Sequence, residues 1–439
     1  MEVMENGAYS NQMIRQVLQN YQYLDKKERA FLNYLTEGVV ERAITLDYII
    51  DSFSKTKTRK MKPLIRNIIR MGAFQICYMD AIPDSAACNE AVKLADKRGF
   101  YNLKGFVNGV LRNIARNKTK LSFPQESANA KEWTKYASVK YSMPEWLVEH
   151  FVNELGRENA KKAMEYFLLH KKTTIRCNLH QNTVEELKEA LEQEGVTVTP
   201  ASYVKSALYI ENYNYLEGLA SFQKGRFQVQ DESSMLIGLV AAPDKEDYII
   251  DVCAAPGGKS THLAEQLSGN GKVSARDLVP FKVSLIEENI RRLQLEHIET
   301  RVQDASECVP EDIGKADIVI ADLPCSGLGV IGRKADIKYK TTKEDIEELS
   351  KIQRQILKTV ISYVKPGGTL IYSTCTIAKE ENLQNVKWMM ENSNLKPESL
   401  DPYLPKDLRC ETSAKGYLQL IPGVQDTDGF FLARLVNKE

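Results

Sequence analysis

The sequence predicts three folded parts. They are an all-helical domain over residues 1–125, a small α+β linker module over 126–226, and a doubly wound α/β domain with a mostly parallel sheet over 227–439. Three observations carry this division. Apolar residues recur at helical spacing through the first 120 residues with no strand signal. Short β-rich runs then flank a single helix. From about Phe227, buried strand-like runs alternate with helices, the rhythm of a parallel sheet. The chain has 439 residues, 43% of them hydrophobic and 27% charged, which is a globular balance with room for several cores.

In the first part, Leu64, Ile65, Ile68, Ile69, Gly72, Ala73 and Ile76 line one helix face, with Lys and Arg opposite. Similar patterns predict helices from Met13 to Leu24, Glu28 to Glu41, Leu46 to Phe53, Ser85 to Lys97 and Leu103 to Arg116. Pro83 with Asp84 marks a turn, and Asp84 or Ser85 is placed to cap the next helix. The polar stretch from Lys118 to Lys131, with Pro124 inside it, reads as a linker.

In the second part, helices are predicted from Glu145 to Leu155, Ala160 to Leu169 and Val184 to Gln193, and strands from Thr173 to Cys177, Val196 to Thr199 and Leu208 to Ile210. In the third, the strands run from Tyr248 to Cys253, Lys272 to Ala275, Ala316 to Ala321, Thr369 to Ser373 and Phe430 to Val436. Helices from Ser260 to Leu267, Pro280 to Leu295, Lys343 to Val364 and Lys379 to Met390 lie between them.

Charge is unevenly spread. The formal net charge is zero, with 59 Lys and Arg against 59 Asp and Glu. Residues 1–130 hold 20 basic and 13 acidic side chains, whereas residues 231–439 hold 26 and 33. Lys55, Lys57, Arg59, Lys60, Lys62, Arg66 and Arg70 lie in a stretch with no acid between Ser52 and Met79, and Arg112, Arg116, Lys118 and Lys120 form a second cluster. Such clustering points to an anion-binding surface. No apolar run reaches about 18 residues, so no membrane span is expected. Met1 to Ser10 is polar and acidic, unlike a secretory signal. The eight Cys form no CxxC pair, so neither a metal site nor a disulfide framework is expected, and a reducing cytoplasmic setting fits.

Ligands of doubly wound sheets bind at the C-terminal ends of the strands. Three such ends carry an acid or a glycine loop. The first, Asp251-Val-Cys-Ala-Ala-Pro-Gly-Gly-Lys259, runs straight into a helix. Gly257 and Gly258 permit a tight turn there, and the N–H groups of the helix start favour an anionic group. Asp277 follows the next strand, about twenty residues on, where ribose hydroxyls find an acceptor. Asp304 follows a third and could accept from an adenine amine. The loop is neither GxGxxG nor GxxxxGK[ST], which disfavours dinucleotide binding and nucleotide hydrolysis. A nucleoside-bearing cofactor fits the three acids. Two further strand ends carry cysteine, in Asp322-Leu-Pro-Cys-Ser-Gly327 and Ser373-Thr-Cys-Thr376. An acid and two thiols beside a cofactor loop point to nucleophilic catalysis.

DVCAAPGGKSTH, ADLPCSGLGV, YSTCT and DGFFLARL together resemble the Nop/Sun family of RNA cytosine-5 methyltransferases. Phe31 to Leu46, Ile68 to Gln75 and Gly105 to Arg112 resemble the domain related to the antitermination factor NusB. The resemblance implies an α/β Rossmann-like class I methyltransferase domain behind an RRM-like linker module and a NusB-like helical domain that binds RNA. It implies S-adenosyl-L-methionine as cofactor, held by Cys253, Ala254, Ala255, Pro256, Gly257, Gly258, Lys259, Asp277, Asp304 and Asp322. It also implies Cys375 as the nucleophile at cytosine C6, Cys325 as the residue for C5 deprotonation and release, and Asp322 and Lys259 in the catalytic pocket. The implied partner is 16S rRNA, naked or in an early assembly particle, with cytosine 967 as the target. A monomer acting on RNA rather than DNA is expected. Leu323 stands where the family commonly has Ala, and Arg276 where it commonly has an apolar residue.

For RNA contact the expected residues are Lys60, Lys62, Arg66 and Arg70 in the helical domain, with Arg333 and Lys338 beside the Pro-Cys loop. Two rival readings compete. In a DNA cytosine methyltransferase the Pro-Cys cysteine is the nucleophile, and a non-catalytic RNA-binding factor needs neither thiol.

Overall fold

Proline at the first turn and an apolar stripe behind it make the helix Pro63–Tyr78, whose Ile65, Ile68, Ile69, Ala73 and Phe74 are buried. The computed structural model that shows this describes residues 1–21, 23–169 and 171–438. It groups residues 1–169 with 331–340 in one unit, and 170–330 with 341–439 in another.

In the first unit, Pro63–Tyr78 packs with Ala43–Phe53 and Lys104–Asn117, burying Leu46, Ile49, Ile50, Val107, Leu111 and Ile114 in one core. At Gly72 a Cβ would lie 2.6 Å from Leu111 Cδ1, so a side chain there would displace the buried Leu111. The helix expected from Met13 runs Ser10–Asn20, and Gln22, near its expected end, lies outside the described residues. Asp84 is not a cap; Pro83 takes that position, and Asp84 Oδ1 accepts from Lys118 Nζ at 3.0 Å.

By contact, the helix Ala130–Tyr141, capped by Asn129, and the helix Glu145–Phe167 group with the first unit. Thr45 Oγ1 donates to Val139 O at 2.6 Å and Ser142 Oγ accepts from Ile44 N at 3.0 Å, tying these helices to Ala43–Phe53. Glu145–Phe167 merges two expected helices across Gly156, whose φ of 74° breaks the helical path.

Several cations expected to face RNA are interior anchors instead. Arg70, 6% exposed, grips both oxygens of Asp47 at 2.7 and 2.6 Å. Arg66 pairs with Glu5 at 2.6 Å. Residues 331–340 group with the helical unit, and there Lys338, 1% exposed, donates to Glu41 O at 2.6 Å. Lys340 donates to Asp336 and to Ala8 O. These contacts correct the expectation for Arg66, Arg70 and Lys338. Lys55, Lys57, Arg59, Lys60, Lys62 and Arg333 are exposed.

The second unit holds two sheets. β1 (Thr173–Cys177), β2 (Thr197–Pro200), β3 (Ala207–Glu211) and β4 (Phe227–Val229) form an antiparallel sheet in the order β2-β3-β1-β4, covered by the helix Val184–Gln193. β4 pairs with β1, so residues 227–229 fall within the small module, not at the start of the large domain. The large sheet contains β5 (Tyr248–Asp251), β6 (Lys272–Asp277), β7 (Ile298–Val302), β8 (Ala316–Asp322), β9 (Val364–Thr374), β10 (Leu395–Pro397), β11 (Tyr417–Leu420) and β12 (Phe430–Asn437). Its order is β10-β12-β9-β8-β5-β6-β7, with β11 also paired to β12. β5 to β9 are mutually parallel and β12 is antiparallel to β9. Alternate residues feed two cores: Ile249, Ile318, Ile320 and Ile371 on one face, and Ile250, Val319, Leu370 and Tyr372 on the other. No helix among the described residues is long and apolar enough to cross a membrane.

Lys338 gives a pH test of this packing. Burial pushes its amine from 10.5 down to about 7, against the pull of Glu41. The folded and unfolded amines are both charged below pH 7, so the cost of burying the charge is fully present there. It shrinks as pH rises toward 10.5, by roughly 1 kcal/mol per pH unit. Lys338→Met is therefore expected to raise the urea midpoint at neutral pH, with a smaller gain in alkaline buffer. A gain independent of pH would contradict the buried amine.

Candidate active site

The order of the large sheet reverses between β5 and its neighbours β6 and β8, which opens a crevice at their C-terminal ends. The glycine loop leaves β5 there. Ala254 N donates to Arg276 O and Gly257 N to Ala254 O, both at 2.7 Å, and Gly257 has a φ of 99°. The following helix, Gly258–Ala264, starts two residues earlier than the sequence suggests. Ser260 Oγ donates to Asp251 Oδ2 at 2.5 Å. Burial pushes the Asp251 carboxyl up to about 7, opposed by the Ser260 bond and the Lys259 charge.

The strand-end acids fall around this loop. Asp277 ends β6 and accepts from Ala255 N and Val279 N, each at 3.3 Å. Arg276 continues β6 in register beside Arg301, and its side chain is buried against Asp312 at 2.7 Å. Asp304, past β7, takes both Ser306 bonds on Oδ1, at 2.8 and 2.7 Å, and these bonds hold its carboxyl below the usual range. Asp304 Oδ2 accepts no bond among the described residues. Ribose hydroxyls and an adenine amine are donors, so acceptor acids beside a glycine loop fit a nucleoside cofactor.

Asp322 ends β8 and joins this crevice to the thiols. Lys259 Nζ donates to its Oδ2 at 2.6 Å, and Ser373 Oγ to its Oδ1 at 2.7 Å. Burial pulls the Lys259 amine down, but Asp322 outweighs it and holds the amine above its ordinary value. The same ammonium lies 5.6 Å from the centre of the Phe430 ring. Cys325 and Cys375 meet at the next level, with their sulfurs 3.3 Å apart. The bond to Cys375, and then burial, pushes the Cys325 thiol well above its ordinary value. Burial also pushes up Cys253, at the base of the glycine loop.

A supporting network lies behind the thiols that the sequence reading missed. Glu381, fully buried, accepts from Ser326 N at 2.9 Å, Ser326 Oγ at 2.5 Å and Gln353 Nε2 at 3.0 Å. Burial pushes its carboxyl up against the pull of these donors. Gln353 Nε2 also reaches Pro324 O at 2.8 Å, and Ser326 Oγ meets Thr376 Oγ1 at 2.8 Å. Gly329 N donates to Cys375 O at 3.0 Å, and Gly429 N to Gly329 O at 2.9 Å. A Cβ on Gly329 would lie 2.1 Å from Gly429 O, so the Pro-Cys and DGFF loops touch through glycine backbone.

A Rossmann-like sheet with a glycine loop, strand-end acids and paired thiols defines the class: an α/β methyltransferase. Residues 238–436 match the family model described as 16S rRNA methyltransferase RsmB/F, residues 1–116 match the NusB family, and residues 143–216 match the ferredoxin-like domain of RsmF/B-like methyltransferases. The chain is similar to the probable ribosomal RNA small subunit methyltransferase B of Bacillus subtilis, 36% identical over 99% of this chain and 96% of that one. Among solved structures it is similar to PH0851, with a TM-score of 0.80 and 25% identity over 97% of this chain and 93% of that one. It is also similar to NSun6 from Pyrococcus horikoshii with SFG, with a TM-score of 0.60 and 25% identity over 67% of this chain and 98% of that one. The chain belongs to the RsmB/F family of 16S rRNA methyltransferases. Its cofactor is S-adenosyl-L-methionine.

Charge-assisted hydrogen bonds contribute about 1.5–3 kcal/mol each. Asp277→Ala is therefore expected to weaken S-adenosyl-L-methionine binding roughly tenfold to a hundredfold in calorimetry, while the far-ultraviolet spectrum stays unchanged. Unaltered affinity would remove Asp277 from the cofactor site.

Proposed function

We propose that the chain methylates C5 of a cytosine in 16S rRNA through a covalent bond from Cys375 Sγ to C6, with cytosine 967 as the target. The observation that carries this reading is the 3.3 Å contact of Cys325 and Cys375 beside the Asp322–Lys259 pair. Cytosine C5 is a poor nucleophile until a thiolate adds to C6 and makes it enamine-like. S-adenosyl-L-methionine supplies the methyl group. Cys375 forms the bond to C6. A base then takes the C5 proton, and the electron pair returns to break the Cys375–C6 bond. Cys325 promotes this release. Asp322, oriented by Lys259 and Ser373, faces the base, where its carboxylate can accept from the exocyclic amine or from N3–H when N3 is protonated. Cys253, Ala254, Ala255, Pro256, Gly257, Gly258, Asp277 and Asp304 hold the cofactor.

The target base leaves its stack to reach the thiol. The RNA is held through the exposed cations of the helical unit, Lys60 and Lys62 with Lys55, Lys57 and Arg59, and through Arg333. The protein acts as a cytoplasmic monomer on free rRNA or on an early assembly particle.

Cys325→Ala should trap the RNA. Incubated with cofactor and a 16S rRNA fragment containing cytosine 967, the variant is expected to give an adduct in mass spectrometry that maps to Cys375. The same fragment with guanosine at that position is expected to give none. Methylation abolished in Cys325→Ala without any adduct contradicts the covalent reading, and activity retained in Cys375→Ala assigns the nucleophile elsewhere.

Reversing Lys60 and Lys62 to Glu should weaken RNA binding and flatten its salt dependence, because every phosphate that goes unneutralised lowers the slope by about 0.7–0.9. Arg70→Glu should instead destabilise the helical unit. Unchanged affinity in the Lys60 and Lys62 variant removes this loop from the RNA surface.

A further inference from the structure

The two thiols lie on separate loops, which the paired strands β8 and β9 release side by side. β8 ends at Asp322 and β9 at Thr374, so Cys325 stands three residues beyond the sheet and Cys375 one. Beyond the sheet the loops are joined by Gly329 N, which donates to Cys375 O at 3.0 Å, and by a chain of side-chain hydrogen bonds. Ala378 N donates to Thr376 Oγ1 at 3.3 Å, Thr376 and Ser326 share a hydroxyl contact at 2.8 Å, and Ser326 Oγ donates to Glu381 Oε1 at 2.5 Å. Because the Ser326 hydroxyl gives its proton to Glu381, it must accept from Thr376. Ser326 and Thr376 each follow a cysteine directly in sequence.

Glu381 is the terminus on which this chain converges. Its Oε2 takes Ser326 N at 2.9 Å and Gln353 Nε2 at 3.0 Å, and Gln353 in turn holds Pro324 O at 2.8 Å. The carboxylate thus fixes the main chain on both sides of Cys325, while the hydroxyl bridge ties that segment to the residue after Cys375. Ser326, Gln353, Thr376 and Glu381 are all buried, so water does not substitute for a missing partner among them.

We propose that Glu381 is a positioning residue for the paired thiols: through Ser326 and Thr376 it holds Cys325 against Cys375, and the release of methylated RNA depends on it. The role rests on the covalent reading above. A carboxylate that only filled space would affect folding and cofactor affinity, whereas one that sets the thiol contact affects turnover and the fate of the adduct. A displacement of about 1 Å at a reacting group costs about a hundredfold in rate.

The test uses the full-length protein with S-adenosyl-L-methionine and a 16S rRNA fragment. Glu381→Ala is expected to lower kcat about a hundredfold, to leave KM for the cofactor within about twofold, and to accumulate a Cys375–RNA adduct that wild type does not. Ser326→Ala and Thr376→Val, which remove single hydroxyls, are expected to show the same pattern more weakly. They keep the test decisive if Glu381→Ala fails to fold. Glu381→Gln is expected to restore most of the turnover, since its oxygen accepts from both amides and its N–H₂ can donate to a reoriented Ser326 hydroxyl. Loss of activity in Glu381→Gln equal to that in Glu381→Ala overturns a positioning role, as does normal turnover in the Ser326 and Thr376 variants. Cys325→Ala runs in parallel. An adduct there but none in Glu381→Ala or the hydroxyl variants overturns only this proposal, while no adduct in Cys325→Ala overturns the covalent reading itself.

Discussion

The parallel pairing of β8 with β9 is the constraint on which the active site depends. Asp322 stands opposite Ser373 in the register, so the two strands stop at one level and release their loops side by side. Leu323 N donates to Ser373 O at 3.2 Å, and Ser373 Oγ to Asp322 at 2.7 Å, which pins the ends together. Two cysteines fifty residues apart in sequence thereby reach sulfur–sulfur contact. β12, antiparallel to β9, brings the DGFF segment against the same loops, where Gly429 meets Gly329. The chemistry is thus placed by strand register first and by side-chain packing second.

The small module does more than link. Arg176 of β1 is buried and reaches Gln230 Oε1 at 2.8 Å, Thr261 Oγ1 at 3.3 Å and the Glu265 carboxylate. Thr261 lies in the helix that follows the glycine loop, and Glu265 closes it. Glu232 works from the other side, taking the backbone N–H groups of Ser202, Tyr203 and Val204. Removing one partner of such a buried pair leaves an uncompensated charge, at a cost of about 3–5 kcal/mol. The cofactor loop is therefore braced by a residue that sequence position assigns to a different module.

What the sequence revealed follows from what each residue needs locally. β5, β8, β9 and β12 carry buried apolar runs, and β6 is buried from Val273 to Asp277. β7 exposes most of its residues, with Ile298 alone buried, and β10 and β11 are short, so their patterns are too weak to mark them. The acids at the ends of β5, β6 and β8 are legible because a strand end with a carboxylate has a recognised use, and Asp304 is legible as the next acid in that series. Glu381 is not. It sits in a stretch that reads as helix, and its partner Ser326 is fifty-five residues away. The basic residues show the opposite error. Sequence counts charges and not their partners, and nothing local announces that Arg70 meets Asp47 or that Lys338 meets a backbone oxygen 297 residues upstream.

Those pairings sharpen the meaning of the zero net charge. Arg66, Arg70 and Lys340 are matched by carboxylates, and Lys338 is buried. The exposed remainder, Lys55, Lys57, Arg59, Lys60 and Lys62, falls in one short segment without an acid. At physiological salt the screening length is about 8 Å, so a phosphate responds to such a local group and hardly to the total of the chain. The strand-end acids of the C-terminal region have donors of their own. Asp251 is bonded to Ser260, Asp277 to the amides of Ala255 and Val279, and Asp322 to Lys259 and Ser373. A neutral total is therefore compatible with the proposed action on RNA, because the exposed cations are grouped in one acid-free segment while the strand-end acids are held by donors of their own.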